Sequence, residues 1–563
     1  MTPPEPLFSI VTTVYAPPVD DLRAMIDSVL AQTHRDWELI LVDDASPDPL
    51  VLETLRRAAS EDARIRVIER ETERHIVAAS NVGIAAARGS FIVLVDHDDL
   101  LAAQALEKMK NAVEDNADVD YLYSDEDKVH ETGRFYDVFR KPPWSPERFR
   151  GQMYTGHVSV LRTSLVREVG GFHEGFDGAQ DYDLVLRVTE RARTVVHVPN
   201  VLYHSRAVAG SSPAEPDAGP DADAGPDADA AADAWLAGQK AVQAHLDRTD
   251  VTARVNLGPR PGTYQLERSL DPQVRVSVVI PTRGGEGVVW GERRCFVVEA
   301  VRSLLQLGGH DNVEVVVVYD TETPDDVLEQ LREVAGASLL LVPYDKPFNF
   351  SEKCNLGVLA SQGEVVMLLN DDVEIASKGF VAQMVAPLFE DAVGLTGARL
   401  LYPDGTLQHA GLAFYRTHLL HMFYHWLDDA PGPFNGLVVN RECSGLTGAC
   451  VAVKRSTYDE VGGLTESLPI NYNDVDFSFK IGRAGYSRVW IANAKAYHFE
   501  SQTRVAVVHD WESKIIRRRW ATPEFDLYMP MFGRTLGEVR KPSKSARRRR
   551  RRSDTPRSAG KTP

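Results

Sequence analysis

Phe91-Ile92-Val93-Leu94-Val95-Asp96-His97-Asp98-Asp99-Leu100 decides how this chain is read. An apolar run ends abruptly in four polar residues, three of them carboxylates. A short continuous apolar run bounded in this way reads as a buried strand. Carboxylates at the carboxyl end of such a strand lie where open α/β sheets bind ligands. Asp-x-Asp there suits a hard divalent cation, which in turn holds phosphate oxygens. The stretch recurs as Val365-Val366-Met367-Leu368-Leu369-Asn370-Asp371-Asp372-Val373.

Strand and helix alternate on the amino-terminal side of each copy. Strands are expected at Phe8 to Tyr15, Trp37 to Val42 and Ile65 to Ile68. Helices are expected at 20–31, 50–59 and 78–87, the last closed by Gly89. The same order returns from Arg275 onward, with Val313 to Val318 and Leu339 to Val342 as strands. Such alternation argues a mainly parallel sheet covered on both faces. Asp44 and Asp98 are 54 positions apart, Asp320 and Asp372 are 52 apart. Later segments match as well: Gln180-Asp181-Tyr182-Asp183 with Asn473-Asp474-Val475-Asp476, and Leu202-Tyr203-His204 with Ala496-Tyr497-His498. Motif, order and spacing agree, so the chain is a tandem repeat of one fold.

At 563 residues two to four domains are expected. The boundaries fall at 1–206 for the first copy, 207–272 for an acidic low-complexity linker plus a helix (Ala234 to Leu246), 273–530 for the second copy and 531–563 for a basic, disordered tail. The net charge of −18 is uneven. Seven acidic residues lie between Glu215 and Asp233, and ten basic residues follow from Lys541 on. Several lysines and arginines near an anionic leaflet each add about 1 kcal/mol, so a peripheral membrane contact is the partner expected of the tail. No aromatic residues interleave with its arginines, which speaks against nucleic acid. No run reaches the roughly 18 apolar residues of a membrane span, and the first residues carry no signal-peptide pattern. The expected location is the cytoplasm, with contact at the inner face of the membrane. Four cysteines without Cys-x-x-Cys spacing argue against a disulfide framework or zinc site. No Gly-x-Gly-x-x-Gly follows the first strand, which disfavours a dinucleotide oxidoreductase.

These motifs, four of them in the same order twice, resemble family 2 glycosyltransferases of the GT-A fold. The wording also resembles tandem transferases of bacterial O-antigen, capsule or cell-wall polysaccharide assembly. The resemblance implies two tandem GT-A domains, each α/β with a Rossmann-like, mixed, mainly parallel sheet. It implies Mg²⁺ or Mn²⁺ as cofactor, a UDP- or dTDP-sugar as donor, and a saccharide or lipid-linked saccharide as acceptor. Asp98 and Asp372 are then direct metal ligands, completed by His204 and His498. Asp181 and Asp474 are the general bases, each preceded by Gln180 or Asn473 where the family carries Glu. Thr13, Asp43, Asp44 and Asp96 in the first copy, and Pro281, Asp320, Asn370 and Asp371 in the second, bind the nucleotide sugar. Direct attack by the acceptor with one base implies inversion at the anomeric carbon. Differences between the copies suggest two donors or linkages. The alternatives are one active module beside a non-catalytic acceptor holder, a nucleotidyltransferase, and a carbohydrate-binding scaffold.

Overall fold

The computed structural model of the chain describes residues 5–206, 228–415, 418–499, 509–524 and 526–528. The acidic low-complexity stretch and the basic tail, with its expected membrane contact, lie outside these residues. The chain forms two compact units, residues 1–269 together with 431–442, and residues 270–430 together with 443–563.

The first unit is built on one mixed sheet. Its strands run in the order Ile65–Glu69, Trp37–Asp43, Phe8–Val14, Phe91–Leu94, Ser159–Arg162, Val119–Val129, Thr194–Arg206 and Leu100–Leu101. The first four are parallel, and Ser159–Arg162 runs antiparallel to both its neighbours. Alternate side chains leave a strand on opposite faces. Ile10, Leu39, Leu41 and Val93 pack against Leu22, Met25, Val51 and Leu55 of the helices Val19–Leu30 and Pro49–Glu61. Val11, Ile40, Val42 and Ile92 pack on the other face against Val77, Ala79 and Ile84 of His75–Ala86. That helix has to come close. A Cβ on Gly83 would lie 2.5 Å from Val11 Cγ1.

The second unit repeats the order strand for strand: Leu339–Tyr344, Val313–Asp320, Val276–Thr282, Val365–Leu369, Cys450–Lys454, Val393–Leu401, Ser487–His498 and Val373–Ile375. Gly357 repeats the close approach, where an added Cβ would lie 2.4 Å from Val279 Cγ1. The rungs Val11↔Leu94 and Val279↔Leu368 place Asp96 opposite Asn370 in the comparison of the two copies, and Asp98 opposite Asp372.

A polar clasp is also repeated at the end of the sheet away from the acidic turns. Ser9 Oγ donates to Glu38 Oε1 at 2.7 Å and Ser277 Oγ to Glu314 Oε2 at 2.5 Å. The N–H groups of Gly89 and Gly363 donate to these hydroxyls, at 2.8 and 2.7 Å. Those of Arg88 and Gln362 donate to the carboxylates, at 2.7 and 2.8 Å. Burial opposes ionisation of Glu38, but hydrogen bonds from Arg88, Ser9 and Arg66 outweigh it and hold the carboxyl below its usual range.

The helix expected at 234–246 is longer, Ala228–Arg248. With the hairpin Ala253–Leu257/Tyr264–Arg268 it belongs to the first unit. Ala241, Val242 and Leu246 join the core that holds Tyr182 and Val185. Arg268 closes the hairpin with a bidentate pair to Glu147, at 2.7 and 2.6 Å, both residues buried. The first unit thus runs on past residue 206, because the apolar stripe of the helix has a face to cover. The unit also takes in residues 431–442: Asn440 Nδ2 donates to Glu147 Oε1 at 2.9 Å, and Glu442 Oε1 accepts from the N–H of Glu147 at 2.9 Å.

Removing either clasp carboxylate strands several buried donors. Glu38→Ala and Glu314→Ala are each expected to cost roughly 2–4 kcal/mol in urea unfolding. For Glu38 the lowered pKa gives the sign with pH. Its contribution is full above the ordinary carboxylate range and fades as acid protonates it, so wild type and Glu38→Ala should converge in stability at low pH.

Candidate functional site

In both units the acidic turn follows the central parallel strand and closes in the same way. The N–H of Asp99 points back to Asp96 O (3.4 Å), and that of Val373 to Asn370 O (3.3 Å). The turn therefore projects its carboxylates from the carboxyl edge of the sheet.

In the second unit most of the expected residues line one cavity of about 1260 Å³: Pro281, Asn370, Asp371, Asp372, Asp474 and His498. Asp372 Oδ1 lies 3.2 Å from His498 Nε2. Burial pushes the Asp371 carboxyl up to about 7, with the Asp372 charge beside it, while Thr282 Oγ1 donates to it at 2.7 Å. Asp474 stands in the first turn of the helix Asn473–Arg483, accepting from the N–H of Gly448 at 3.1 Å. Glycine at 448 keeps that approach open, since even a Cβ there would meet Asp474 Cβ at 3.3 Å. Asp320 is held at the end of its strand by the fully buried Lys353, whose Nζ sits 2.8 Å from Oδ1 and 2.6 Å from Thr282 O. Arg283 Nε lies 3.4 Å from the other oxygen.

The first unit arranges the same stations differently. Asp44 is fixed by Arg70 (2.6 Å) and by the N–H of Arg74, and Asp43 accepts from the N–H of Ser46. Thr13 offers its carbonyl to His97 Nδ1 at 3.2 Å. Asp96 is half exposed, with His157 Nε2 3.5 Å from its Oδ2. Asp98 is half-buried, and its carbonyl accepts from Arg206 Nε at 2.9 Å. Asp181 sits in the first turn of Gln180–Thr189, and burial pushes its carboxyl up to about 6. His157 opposes that shift and Asp96 reinforces it.

The two histidines expected to match do not take matching places. Leu100 pairs with His204, whereas it is Val373, one residue earlier in its turn, that pairs with His498. Arg206 and Phe499 therefore correspond, and so do Ser205 and His498. A shift of one residue along a strand turns a side chain to the opposite face. His204 accordingly meets Asp127, Nδ1 to Oδ1 at 2.5 Å, and packs on Phe135. Tyr203 takes the inner face of the first unit, its hydroxyl donating to Asp99 at 2.7 Å.

Asp125 and Asp127 are buried on the strand Val119–Val129 beside His197 and His204. Glu126 is bound by Lys141 Nζ (2.9 Å) and by the N–H of His157 (3.0 Å). Trp144 packs on Phe149, and Trp426 on Phe423. Sequence reasoning missed Lys353 and Gln408. Lys353 alone carried a signal, as a lone cation in the apolar register of Phe350–Ala360. Among the described residues no cluster of three His, Cys, Asp or Glu side chains gathers closely enough to hold a metal alone, and no helix is long and apolar enough to cross a membrane.

Doubled sheet and acidic cleft together define a tandem α/β enzyme. Residues 9–170 and 277–462, together more than half of the chain, both match the model of glycosyl transferase family 2, and the chain belongs to that family. An uncharacterized Sinorhizobium fredii protein is 38% identical over 92% of this chain and 56% of its own length. The O-antigen biosynthesis protein RfbC of Myxococcus xanthus is 31% identical over 93% of this chain and 40% of its own. The chain thus spans about half the length of these relatives. A mannosyltransferase from Pyrobaculum calidifontis, solved with GDP-Man and Mn²⁺, is 20% identical, covering 37% of this chain and 59% of that one at a TM-score of 0.30.

Lys353 ties the ends of the strands Val276–Thr282 and Val313–Asp320 to the helix Phe350–Ala360. Lys353→Met leaves the Asp320 carboxylate without the ammonium, and should lower stability by roughly 3 kcal/mol. Thermal unfolding checks this, and a double variant with Asp320→Asn is expected to recover most of the loss.

Proposed function

We propose that each unit is an inverting glycosyltransferase module that moves a sugar from a UDP- or dTDP-sugar to a saccharide acceptor, with a divalent cation at the acidic turn. The observation that carries this reading is the second unit's cavity, where Asn370, Asp371, Asp372, His498 and Asp474 face one space. The name of the Myxococcus relative supports an O-antigen polysaccharide as the product.

The residues present fit such a cation. Asp372 and His498 place a carboxylate oxygen and an imidazole nitrogen 3.2 Å apart, and Asn370 Oδ1 beside them is buried without a hydrogen-bond partner. One or two protein ligands suffice when phosphate oxygens complete the shell. Asp372 and His498 would hold it in the second unit and Asp98 in the first, and it would neutralise the departing diphosphate.

The chain's own residues do the rest. Asp320, steadied by Lys353, and Asp44, steadied by Arg70, hold the nucleotide base. Asp474 or Asp181 accepts the proton of the acceptor hydroxyl as its oxygen bonds to the anomeric carbon. The bond from that carbon to the diphosphate oxygen breaks, and the nucleoside diphosphate leaves with the electron pair. Attack from the face opposite the leaving group inverts the centre, with no covalent enzyme intermediate.

A second reading, one active module beside an acceptor-holding one, is favoured by a specific observation: His204 is turned to Asp127 while His498 faces Asp372. A panel of UDP- and dTDP-sugars with Mn²⁺ or Mg²⁺ separates the two. If both modules transfer, Asp98→Ala and Asp372→Ala each abolish a different donor's turnover. If only Asp372→Ala matters, the first unit is the holder; if neither does, the transferase reading fails.

The base of the first module supplies a pH prediction. Asp181 must be ionised to take the proton and its carboxyl is raised to about 6. Turnover by that module, measured in the Asp372→Ala background, should rise with pH through about 6 and fall tenfold per unit below it. Asp181→Asn should abolish it at every pH.

A further inference from the structure

We infer that Gln408 is a positioning residue that fixes the His498 imidazole so that its Nε2 and the Asp372 carboxylate face one cation. This rests on the cation reading above and goes one shell further out. Gln408 lies on the short strand Leu407–His409, which pairs with Val393–Leu401 at Leu400↔His409 and Leu401↔Leu407. Its side chain is therefore delivered from the sheet, and both Gln408 and His498 are buried.

The hydrogen bonds choose the tautomer. His498 Nδ1 lies 2.6 Å from Gln408 Oε1. An amide oxygen only accepts, so the ring proton sits on Nδ1. On the other side Asn370 Nδ2 lies 3.4 Å from Nε2. An amide nitrogen only donates, so Nε2 offers a lone pair. Two independent partners thus agree. A bound cation would take the place of that N–H contact, and Nε2 and Asp372 Oδ1, 3.2 Å apart, are the two electron-pair donors that would face it. Asn370 Oδ1, buried and without a hydrogen-bond partner, adds a third donor atom at the same turn. A carboxylate, an imidazole nitrogen and an amide oxygen suit Mn²⁺ better than Mg²⁺. Partners of this outer kind set the orientation and basicity of a metal-binding histidine. In the first unit His204 Nδ1 is engaged by the Asp127 carboxylate instead, so the device belongs to the second module.

The test measures Mn²⁺ binding by electron paramagnetic resonance in the full chain carrying Asp98→Ala, with Mn²⁺ alone as probe. Gln408→Leu is expected to weaken binding about 10- to 100-fold. Gln408→Glu, which keeps an accepting oxygen at Nδ1, should restore most of it. Nitrogen-15 spectra of the imidazole should show the proton on Nδ1 in the parent, and a tautomer mixture in Gln408→Leu. If His498→Ala weakens Mn²⁺ binding but Gln408→Leu does not, the positioning role is wrong and the cation site stands. If Gln408→Leu weakens binding and lowers the melting temperature with no rescue by Gln408→Glu, the residue is structural packing and the inference is overturned. If neither His498→Ala nor Asp372→Ala changes binding, the cation reading itself fails and the inference falls with it.

Discussion

Everything at the acidic turns depends on a carboxylate at the far end of the sheet. Glu38 and Glu314 are buried among apolar strands, where an unpaired charge is costly, and each is satisfied by a serine hydroxyl and by backbone N–H groups at the entry to the next strand. Those N–H groups belong to Arg88 and Gln362, just before Phe91–Leu94 and Val365–Leu369. The clasp fixes where these strands begin, and their lengths then fix where the acidic residues emerge. Gly89 and Gly363 complete it because a Cβ at either position would come 2.6 Å from the backbone nitrogen of the clasp serine.

From this shared frame the units diverge by small displacements with large chemical effect. One residue of register in the last long strand carries His498 to Asp372 and turns His204 to Asp127. A buried cation, Lys353, supports Asp320 from a helix, whereas Asp44 takes its support from Arg70 on the loop after the third strand. The base of the first unit is raised by burial, with His157 beside it; the same rung of the second unit, next to Cys450, holds Ala449. Two copies of one frame in this way present different side chains at matching positions.

The fold was legible in the sequence because its information is local. Alternating apolar runs, their polar ends and the doubled spacing needed nothing distant to be read, and helix ends moved only a few residues, as frayed boundaries do. The acids at the strand ends were legible for the same reason. What stayed hidden depends on register and on partners far away in the chain. Tyr203-His204 and Tyr497-His498 look alike as letters, and only strand pairing shows which face each histidine takes. Gln408 lies 90 positions from His498, and nothing in Leu407-Gln408-His409 marks its amide. Glu147 and Arg268 are buried as a pair, which neither residue alone announces.

The short segment 431–442 bears on time as well as on structure. It caps the helix Pro146–Gly151 through Glu442 and binds Glu147 through Asn440, yet it is made long after the rest of the first unit, which ends at Ser269. At ribosomal speeds of roughly 5–20 residues per second, the helix waits on the order of ten to thirty seconds for its cap. During that wait the Glu147 and Arg268 side chains have each other but not Asn440. The nascent first unit is therefore a nearly finished body with one open seam, and its maturation is paced by translation of the second.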